Sequence, residues 1–169
     1  MDRPPAQTVP VDSGRMNAEH RYTDDGRYIV VNGRRWRATD PEIPPDIKSE
    51  LVGELMWARR QIKTAGDSAR PRVHEAKIAL GERGEPWWEP TDEGRRRRAE
   101  AVINALLRVR DGGPVCASEV AQTVGGAGWK SCESLVEAVI RDRQHTQAWV
   151  PCPSSDEMRV RSPSGDGDG

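Results

Sequence analysis

The stretch that decides the fold is residues 95–143, RRRRAEAVINALLRVRDGGPVCASEVAQTVGGAGWKSCESLVEAVIRDR. Its apolar residues recur three and four positions apart in three segments, which is the spacing of helices that each bury one face. Glycine pairs at 112–113 and 125–126 separate the segments, because glycine adopts the left-handed backbone that ends a helix. We therefore predict three short helices, the second capped by Ser118 and the third running from Trp129.

Two short β-prone segments follow, TQAWV at 146–150 and MRVR at 158–161. Three helices followed by a strand pair are the outline of a winged helix, whose third helix usually reads DNA. The charges on the predicted third helix cancel and it has no internal Asn or Gln to read adenine, so it is a poor candidate for groove reading. These charges belong to Lys130, Glu133, Glu137, Arg141, Asp142 and Arg143.

The N-terminal half begins with RYIVVNGRRWRA, in which Asn32-Gly33 is a strong signal for a β-hairpin. Ile29, Val31 and Trp36 would then share the face that docks. A helix is predicted from Pro45 to about residue 64, and a second helix follows with Pro71 in its first turn. Their short link predicts an antiparallel helical hairpin.

The predicted fold class is therefore mainly α with a small β component: a β-hairpin, an antiparallel helical hairpin, and a winged-helix-like three-helix unit. The predicted divisions are a disordered tail at 1–26, hairpin and helical hairpin at 27–83, a Trp-containing linker at 84–94, the winged-helix-like domain at 95–161 and a disordered tail at 162–169. Met16 is an alternative start, because ordered structure is expected only from Arg27.

Composition excludes several classes of function. Hydrophobic residues make up 35% of 169 residues, charged residues 31%, and Phe is absent, which favours a modest core without a large enclosed substrate cavity. A net charge of -1 gives no global attraction to nucleic acid or anionic lipid, so any such binding must be local. No apolar run approaches the roughly 18 residues of a membrane span, and an odd number of cysteines fits a cytoplasmic protein with reduced thiols.

Motifs of catalysis and metal binding are missing: the sequence has no P-loop, GxGxxG, HExxH or CxxC. His20, His74 and His145 lie far apart, and His74 is expected to be structural. A zinc site from Cys116, Cys132, His145 and Cys152 would need loose spacings and two cysteines at apolar positions. We predict a binding module rather than an enzyme, with no metal or cofactor.

Two arginine clusters are the candidate sites for nucleic acid or another anion, through phosphate contacts. The first is Arg34, Arg35 and Arg37 in the hairpin. The second is Arg95, Arg96, Arg97 and Arg98, placed where a helix dipole is positive. The alternative interpretations are a solvated arginine face for the first cluster, and neutralisation by Glu89, Asp92 and Glu93 for the second.

Trp36, Trp87 and Trp88 are the candidate anchors for a protein partner, because tryptophan is enriched where interfaces bind most tightly. The alternative for Trp87 and Trp88 is that they plug the seam between the helical hairpin and the C-terminal unit. Nucleic-acid binding is thus the first hypothesis and protein interaction the second. The sequence predicts no oligomeric state.

Three motifs carry a resemblance: NGRRWRATDPEIP, ALGERGEPWWEP and CASEVAQTVGGAGW. Together they resemble a small bacterial family of unknown function whose C-terminal part is similar to winged-helix domains and whose members sometimes carry a Tol biopolymer transporter label. The similarity covers residues 27–129. It implies a helical fold with a wing, and neither an activity nor functional residues; Ala117 stands where the family has proline, and the wing is shorter here.

Overall fold

The computed structural model describes residues 21–146, 148–151 and 158–163. It is about 60% helical, with two small three-stranded antiparallel sheets, which confirms the prediction of a mainly α protein with a small β component. The chain divides into two compact units, Met1–Trp36 and Arg37–Gly169. The domain boundaries predicted near residues 84 and 95 both fall inside the second unit.

The first unit contains the predicted hairpin. Strands β1 (Arg21–Tyr22), β2 (Tyr28–Val31) and β3 (Arg34–Arg37) form a sheet in the order β1-β2-β3, and β3 ends at the first residue of the second unit. Positive φ angles of 51° at Asn32 and 74° at Gly33 confirm the expected tight turn. Strand β1 was not predicted, since the disordered tail was expected to continue to residue 26; residues 1–20 lie outside the described part of the chain.

The helical hairpin consists of α1 (Pro45–Ala65), a 3-10 turn (Gly66–Ala69) and α2 (Arg70–Ala79), with α1 starting at the predicted proline. On α1, Leu51 and Leu55 are buried with Ile47 and Ala58, at the spacing of one helix face. Val52 and Met56 lie off this face and are exposed. In the turn before α2, the Ser68 hydroxyl donates to the Ala65 carbonyl.

Helix α3 (Asp92–Val109) starts three residues earlier than the sequence predicted. Thr91 is its N-cap, and its hydroxyl accepts a hydrogen bond from the Gly94 amide at 3.1 Å. Asp92 and Glu93 therefore occupy the first turn, where their charges complement the helix dipole. The arginine run begins only after them, so the four cations do not oppose the dipole as the sequence suggested.

Strand β4 (Val115–Cys116) leads into α4 (Ala117–Gly125), a 3-10 turn (Gly126–Cys132) and α5 (Glu133–His145). Cys116 replaces the predicted Ser118 as the cap, since its amide donates to the Glu119 carboxylate at 3.0 Å. Gly126 has the predicted left-handed conformation, with φ 53°. The third helix starts at Glu133 rather than near Trp129, because the preceding turn has 3-10 geometry.

The second sheet joins β4 to β5 (Val150–Pro151) and β6 (Arg159–Arg161) in the order β4-β6-β5. Val115 pairs with Val160, and Val150 pairs with Arg161, both antiparallel. The strands β5 and β6 fall where the two β-prone segments ended, whereas β4 as their third partner was not predicted. Residues 152–157 between them, and the tail from 164 onwards, lie outside the described residues.

Helix α3 is the centre of the hydrophobic core and packs against the other four helices. Its inner face contributes Val102, Ile103 and Leu106, which are fully buried. The buried hydrophobic residues found in the described ranges all belong to the second unit, from Ala38 to Val160. None of the described helices is long and apolar enough to cross a membrane.

An ion-pair network crosses the helices α1, α2 and α3. Glu54, which is 2% exposed, accepts hydrogen bonds from Arg72 and Arg108, and Arg108 also pairs with Glu75. Burial raises the pKa of Glu54, but the hydrogen bonds and charges of the two guanidinium groups outweigh burial, so its pKa lies below the ordinary 4.5. The carboxylate is therefore ionised in the core of the hairpin, and it fixes α2 and α3 against α1.

Candidate anion-binding site

Arg34, Arg35 and Trp36 lie in the first unit, on the β3 strand. The Arg35 guanidinium lies 4.4 Å from the Tyr28 ring centroid, and the Arg34 guanidinium lies 5.1 Å from the Trp36 ring centroid. Trp36 is 44% exposed, so its predicted place on a docked face is wrong. Its ring lies beside the Arg34 guanidinium instead of in a core.

Arg37 differs from Arg34 and Arg35 because it binds the loop after α2. Its Nη1 donates to the Gly84 carbonyl at 2.8 Å and to the Glu85 carbonyl at 3.2 Å, and its guanidinium lies 5.7 Å from the Trp88 ring centroid. These contacts hold the tryptophan-containing loop after α2. In the hairpin cluster, Arg37 therefore stabilises the loop after α2, and its guanidinium is already engaged by that loop.

Trp87 is held by segments on either side of the helical hairpin. Its indole Nε1 donates to the Ala38 carbonyl at 3.1 Å, and its ring covers Gly81, where a φ of 79° and the lack of a side chain allow the close approach. Trp88 meets it edge to face, with centroids 5.2 Å apart. Both rings are half-buried, so the pair mainly stabilises the loop between α2 and α3 and exposes little surface to a protein partner.

Arg98 is not a surface cation. The residue is 8% exposed, its Nη1 forms an ion pair with Asp40 at 2.7 Å, and its Nε donates to the Ala79 carbonyl at 3.1 Å. Burial lowers the pKa of the Arg98 guanidinium, and the charge of Asp40 partly offsets this effect. The prediction of a freely accessible phosphate contact at Arg98 is therefore corrected to a buried pair, which joins α3 to the segment before α1.

The other three arginines of the run differ in burial and in their ion-pair partners. Arg95 pairs with Asp92 at 3.2 Å, and Arg97 pairs with Glu93 at 3.0 Å. Both carboxylates are largely exposed, so these pairs are weak and the arginines can exchange partners. Arg96 is half-buried and forms no hydrogen bond or ion pair with another described residue.

A cavity of about 1000 Å³, here called the basic groove, lies along the surface of α2 and α3. Arginines outnumber carboxylates on its walls by five to three. The arginines are Arg70, Arg72, Arg83, Arg97 and Arg108, and the carboxylates are Asp67, Glu75 and Glu100. Arg72 and Arg108 belong to the Glu54 network. Arg70, Arg83 and Arg97 are exposed; Arg70 pairs with the exposed Asp67 at 2.6 Å, Arg97 pairs with Glu93, and Arg83 donates to His74.

A smaller and more enclosed cavity of about 450 Å³ adjoins the groove and shares Arg83 and Arg97 with it. We call it the arginine pocket. Arg83, Arg95, Arg97 and Arg98 line it, against a single carboxylate from Glu85. Its apolar lining residues are Ile78, Pro86, Trp87, Pro90 and Val124, and His74, Gly84 and Gly94 complete the wall.

Two of the arginines that line the pocket each carry an unsatisfied hydrogen-bond donor. Arg98 Nη2 and Arg95 Nε are buried and form no hydrogen bond within the described ranges of the chain. A buried N–H group of a charged side chain is costly to leave unpaired, and such groups are rare. An anion bound against this wall would supply the missing acceptors.

Glu85 already places one negative charge at the start of α3. Its carboxylate accepts hydrogen bonds from the Thr91 amide at 2.8 Å and from the Thr91 hydroxyl. The bonds to the Thr91 amide and hydroxyl hold the pKa of Glu85 below its ordinary value of 4.5. The helix N-terminus itself is therefore occupied by a side chain of this protein, and the available cationic wall is formed by the arginines further along.

His74 is exposed, as the sequence predicted for a structural histidine, and its Nδ1 accepts a hydrogen bond from Arg83 Nη1 at 2.8 Å. This bond orients the guanidinium that both cavities share. No group of His, Cys, Asp and Glu suited to a metal ion occurs among the residues that the structure describes. Cys152, a member of the candidate zinc set, lies outside the described residues, and so does His20.

Sequence reasoning missed Arg70, Arg83, Asp40 and Glu85. The motif ALGERGEPWWEP contains Arg83 and Glu85 in a glycine- and proline-rich loop, which is where binding residues often lie. Arg70 and Asp40 gave no such signal, because their roles come from the packing of distant segments. The structure brings Arg95, Arg97 and Arg98 together round one pocket, whereas Arg37 is half-buried and bound to the loop carbonyls of Gly84 and Glu85.

No family model, curated protein or solved structure matches this chain. The resemblance to the small bacterial family stays a prediction.

Proposed function

We propose that this protein is a nucleic-acid-binding module that holds a strand through its phosphates along the basic groove. The observation that carries the proposal is the concentration of arginine there in a protein whose net charge is -1. Arg70, Arg83 and Arg97 are exposed along one surface. Their guanidinium groups are the side chains best matched to phosphate oxygens.

The winged-helix analogy supports a different surface, and the charges argue against it. On α5, Arg141 pairs with Glu137 at 3.2 Å, and Arg143 pairs with Glu100 of α3. Pairing alone does not separate the two surfaces, because Arg70 and Arg97 of the groove have carboxylate partners too. Charge balance does: acidic and basic side chains are equal in number from Lys130 to Arg143, whereas arginines outnumber carboxylates five to three in the groove. We infer that the three-helix unit with its small sheet is a winged-helix-like scaffold, and that binding occurs on the α2–α3 surface.

A gel-shift titration at about 50 and 200 mM salt, with the full chain and a single-stranded oligonucleotide, tests the proposal. Phosphate contacts release counterions, so three contacts predict a loss of roughly 20-fold in affinity over this range. Arg70→Gln combined with Arg97→Gln removes two exposed charges, and we expect weaker binding and a smaller salt slope.

The matched control is Lys130→Gln combined with Arg141→Gln, which removes the same charge from the region of α5. Binding that persists in the control and falls in the groove variant supports the proposal. Binding that persists in the groove variant and falls in the control would instead place the nucleic-acid site on α5. Absence of any shift at low salt would rule out nucleic-acid binding.

A protein-interaction module is the second candidate function, and an exposed apolar surface on α1 favours it. Val52, Met56 and Trp57 are 36%, 37% and 41% exposed, and the Trp57 ring lies 3.7 Å from the Arg72 guanidinium. This surface replaces the predicted anchors, Trp87 and Trp88, whose rings are half-buried. Binding of a protein partner through it would respond little to salt, which distinguishes it from phosphate binding.

A further inference from the structure

The arginine pocket differs from the basic groove because its walls are of two chemical kinds. Arg83, Arg95, Arg97 and Arg98 form a cationic wall, and Glu85 is the one acidic residue that lines the pocket. Ile78, Pro86, Trp87, Pro90 and Val124 form an apolar wall. A continuous phosphate backbone needs only the first wall. The second suits the organic part of a small ligand.

The cationic wall is a built site rather than a cluster of surface charges. The Arg98 side chain is 9% exposed, and Asp40 and the Ala79 carbonyl fix two of its nitrogens. Its third nitrogen, Nη2, is buried without a partner in the part of the chain that the structure describes, and so is Arg95 Nε. The protein therefore orients two donors that its own described residues do not use.

We propose that the arginine pocket binds a phosphate monoester with a planar organic group, and that the 5′-phosphate of a nucleotide is the ligand chemistry it recognises. A dianionic phosphate offers three acceptor oxygens to the arginines, including the two with unpaired donors. The base or sugar then meets Trp87 and the prolines. The volume of about 450 Å³ lies within the range of small-molecule pockets.

Charge favours a phosphate monoester over a diester or a carboxylate. Asp40 neutralises Arg98, and the exposed carboxylate partners of Arg95 and Arg97 can be exchanged for a ligand. Arg83, Arg95 and Arg97 against Glu85 then leave an excess of two positive charges on the pocket walls. A terminal phosphate carries nearly two negative charges at neutral pH, whereas a backbone phosphate or a carboxylate carries one. Glu85 repels each of these ligands and thereby weakens all of them, so removal of its charge should strengthen binding.

The 5′-phosphate could belong to a free mononucleotide or to the 5′ end of a strand that lies in the adjoining groove. The inference rests on the proposed function in taking phosphate as the recognised group. It adds that one terminal phosphate is bound more tightly than any internal one.

The experiment is a calorimetric titration of the full chain with adenosine, adenosine 5′-monophosphate, and one oligonucleotide carrying either a 5′-phosphate or a 5′-hydroxyl. We expect the 5′-phosphate to tighten oligonucleotide binding about tenfold, which is the worth of one charge-assisted hydrogen bond. The monophosphate should compete, and adenosine should not.

The outcomes separate the two proposals. Equal binding of both oligonucleotides without competition by the monophosphate overturns the pocket and leaves the proposed function intact. Binding of the monophosphate with no oligonucleotide binding supports the pocket, names the free nucleotide as its source, and contradicts the proposed function. Binding of neither ligand overturns both.

Arg95→Gln is the decisive variant, because Arg95 is only half-buried and the Arg98–Asp40 pair stays whole. We expect it to remove the preference for the 5′-phosphate at an unchanged melting temperature. Arg96→Gln, one residue further along α3 and outside the pocket lining, is the matched control and should keep the preference. Glu85→Gln should raise the affinity for the monophosphate several-fold. An unchanged preference in Arg95→Gln contradicts the assignment.

Discussion

Arg98 shows how far a residue's role can depart from its neighbours in the sequence. Four consecutive arginines suggest one cationic patch, yet helical geometry turns them in four directions. Arg97 faces solvent, and Arg98 faces Asp40, which is 58 residues away in the chain. The prediction of a basic surface fits the exposed Arg97 but not the buried Arg98. Sequence alone does not reveal which arginine of a helical run pairs with a buried carboxylate.

Asp40→Asn should destabilise the protein by about 3 kcal/mol, because it leaves the Arg98 guanidinium buried without its counter-charge. Asp142→Asn removes an equal charge from an exposed position of α5 and should change stability by less than about 0.5 kcal/mol. Urea unfolding followed by circular dichroism measures both. Equal stability of the two variants would contradict the role given to the pair.

Glu54 makes stability depend on acidity. Its pKa in the folded protein lies below the ordinary 4.5, so its contribution is present above pH 4.5 and is lost as the pH falls through the folded value. We expect the free energy of unfolding to decline below about pH 4.5, and to decline less steeply in Glu54→Gln, which has no such proton to bind. Urea titrations across this range, with Glu133→Gln as control, measure the difference in slope.

At the scale of elements, the sequence predicted helices better than their ends. The start of α1 at Pro45 follows from the fixed backbone angle of proline, which is a local property. The starts of α3 and α4 depend instead on Thr91 and Cys116, which meet carboxylates of Glu85 and Glu119. Such caps depend on side chains whose positions are set by the fold.

Two glycine-to-alanine changes should have opposite effects on their elements. Gly53 lies inside α1 with open space at its Cβ position, so Gly53→Ala should stabilise the protein by about 0.5–1 kcal/mol. Gly126 has φ 53° and lies against the Glu42 carboxylate, so Gly126→Ala should destabilise by roughly 1–2 kcal/mol. Differential scanning calorimetry gives the two shifts in melting temperature, and shifts of the same sign would contradict the helix-end geometry.

At the scale of the whole molecule, stability resides in the second unit, because the described buried core begins at Ala38. A fragment of residues 37–169 should therefore unfold cooperatively, with a melting temperature within about 5 °C of the full chain. A fragment of residues 45–169 is the control. It lacks Ala38, Asp40 and Ile43, so it should melt far lower or fail to fold. Loss of cooperative unfolding in the longer fragment would show that the first unit is required.

The candidate site itself was only partly predictable. The sequence pointed to Arg95, Arg97 and Arg98 because cations are conspicuous in a run, and the loop motif drew attention to Trp87. The sequence did not indicate that Arg83 lines the same pocket as these arginines, or that Glu85 binds Thr91 at the start of α3. Both contacts depend on the position of the loop between α2 and α3. An enclosed pocket needs several segments to meet, and such meetings are set by tertiary packing.

The two adjoining cavities give the molecule an uneven distribution of charge. Seven arginines and four carboxylates line them together, an excess of three positive charges, while the whole chain carries -1. The remainder of the chain must therefore sum to -4. A polyanion approaching within about one Debye length, roughly 8–10 Å, is attracted at these cavities and repelled by the remaining charge. Encounters are oriented before contact, and near-neutrality overall limits nonspecific adhesion to other acidic polymers.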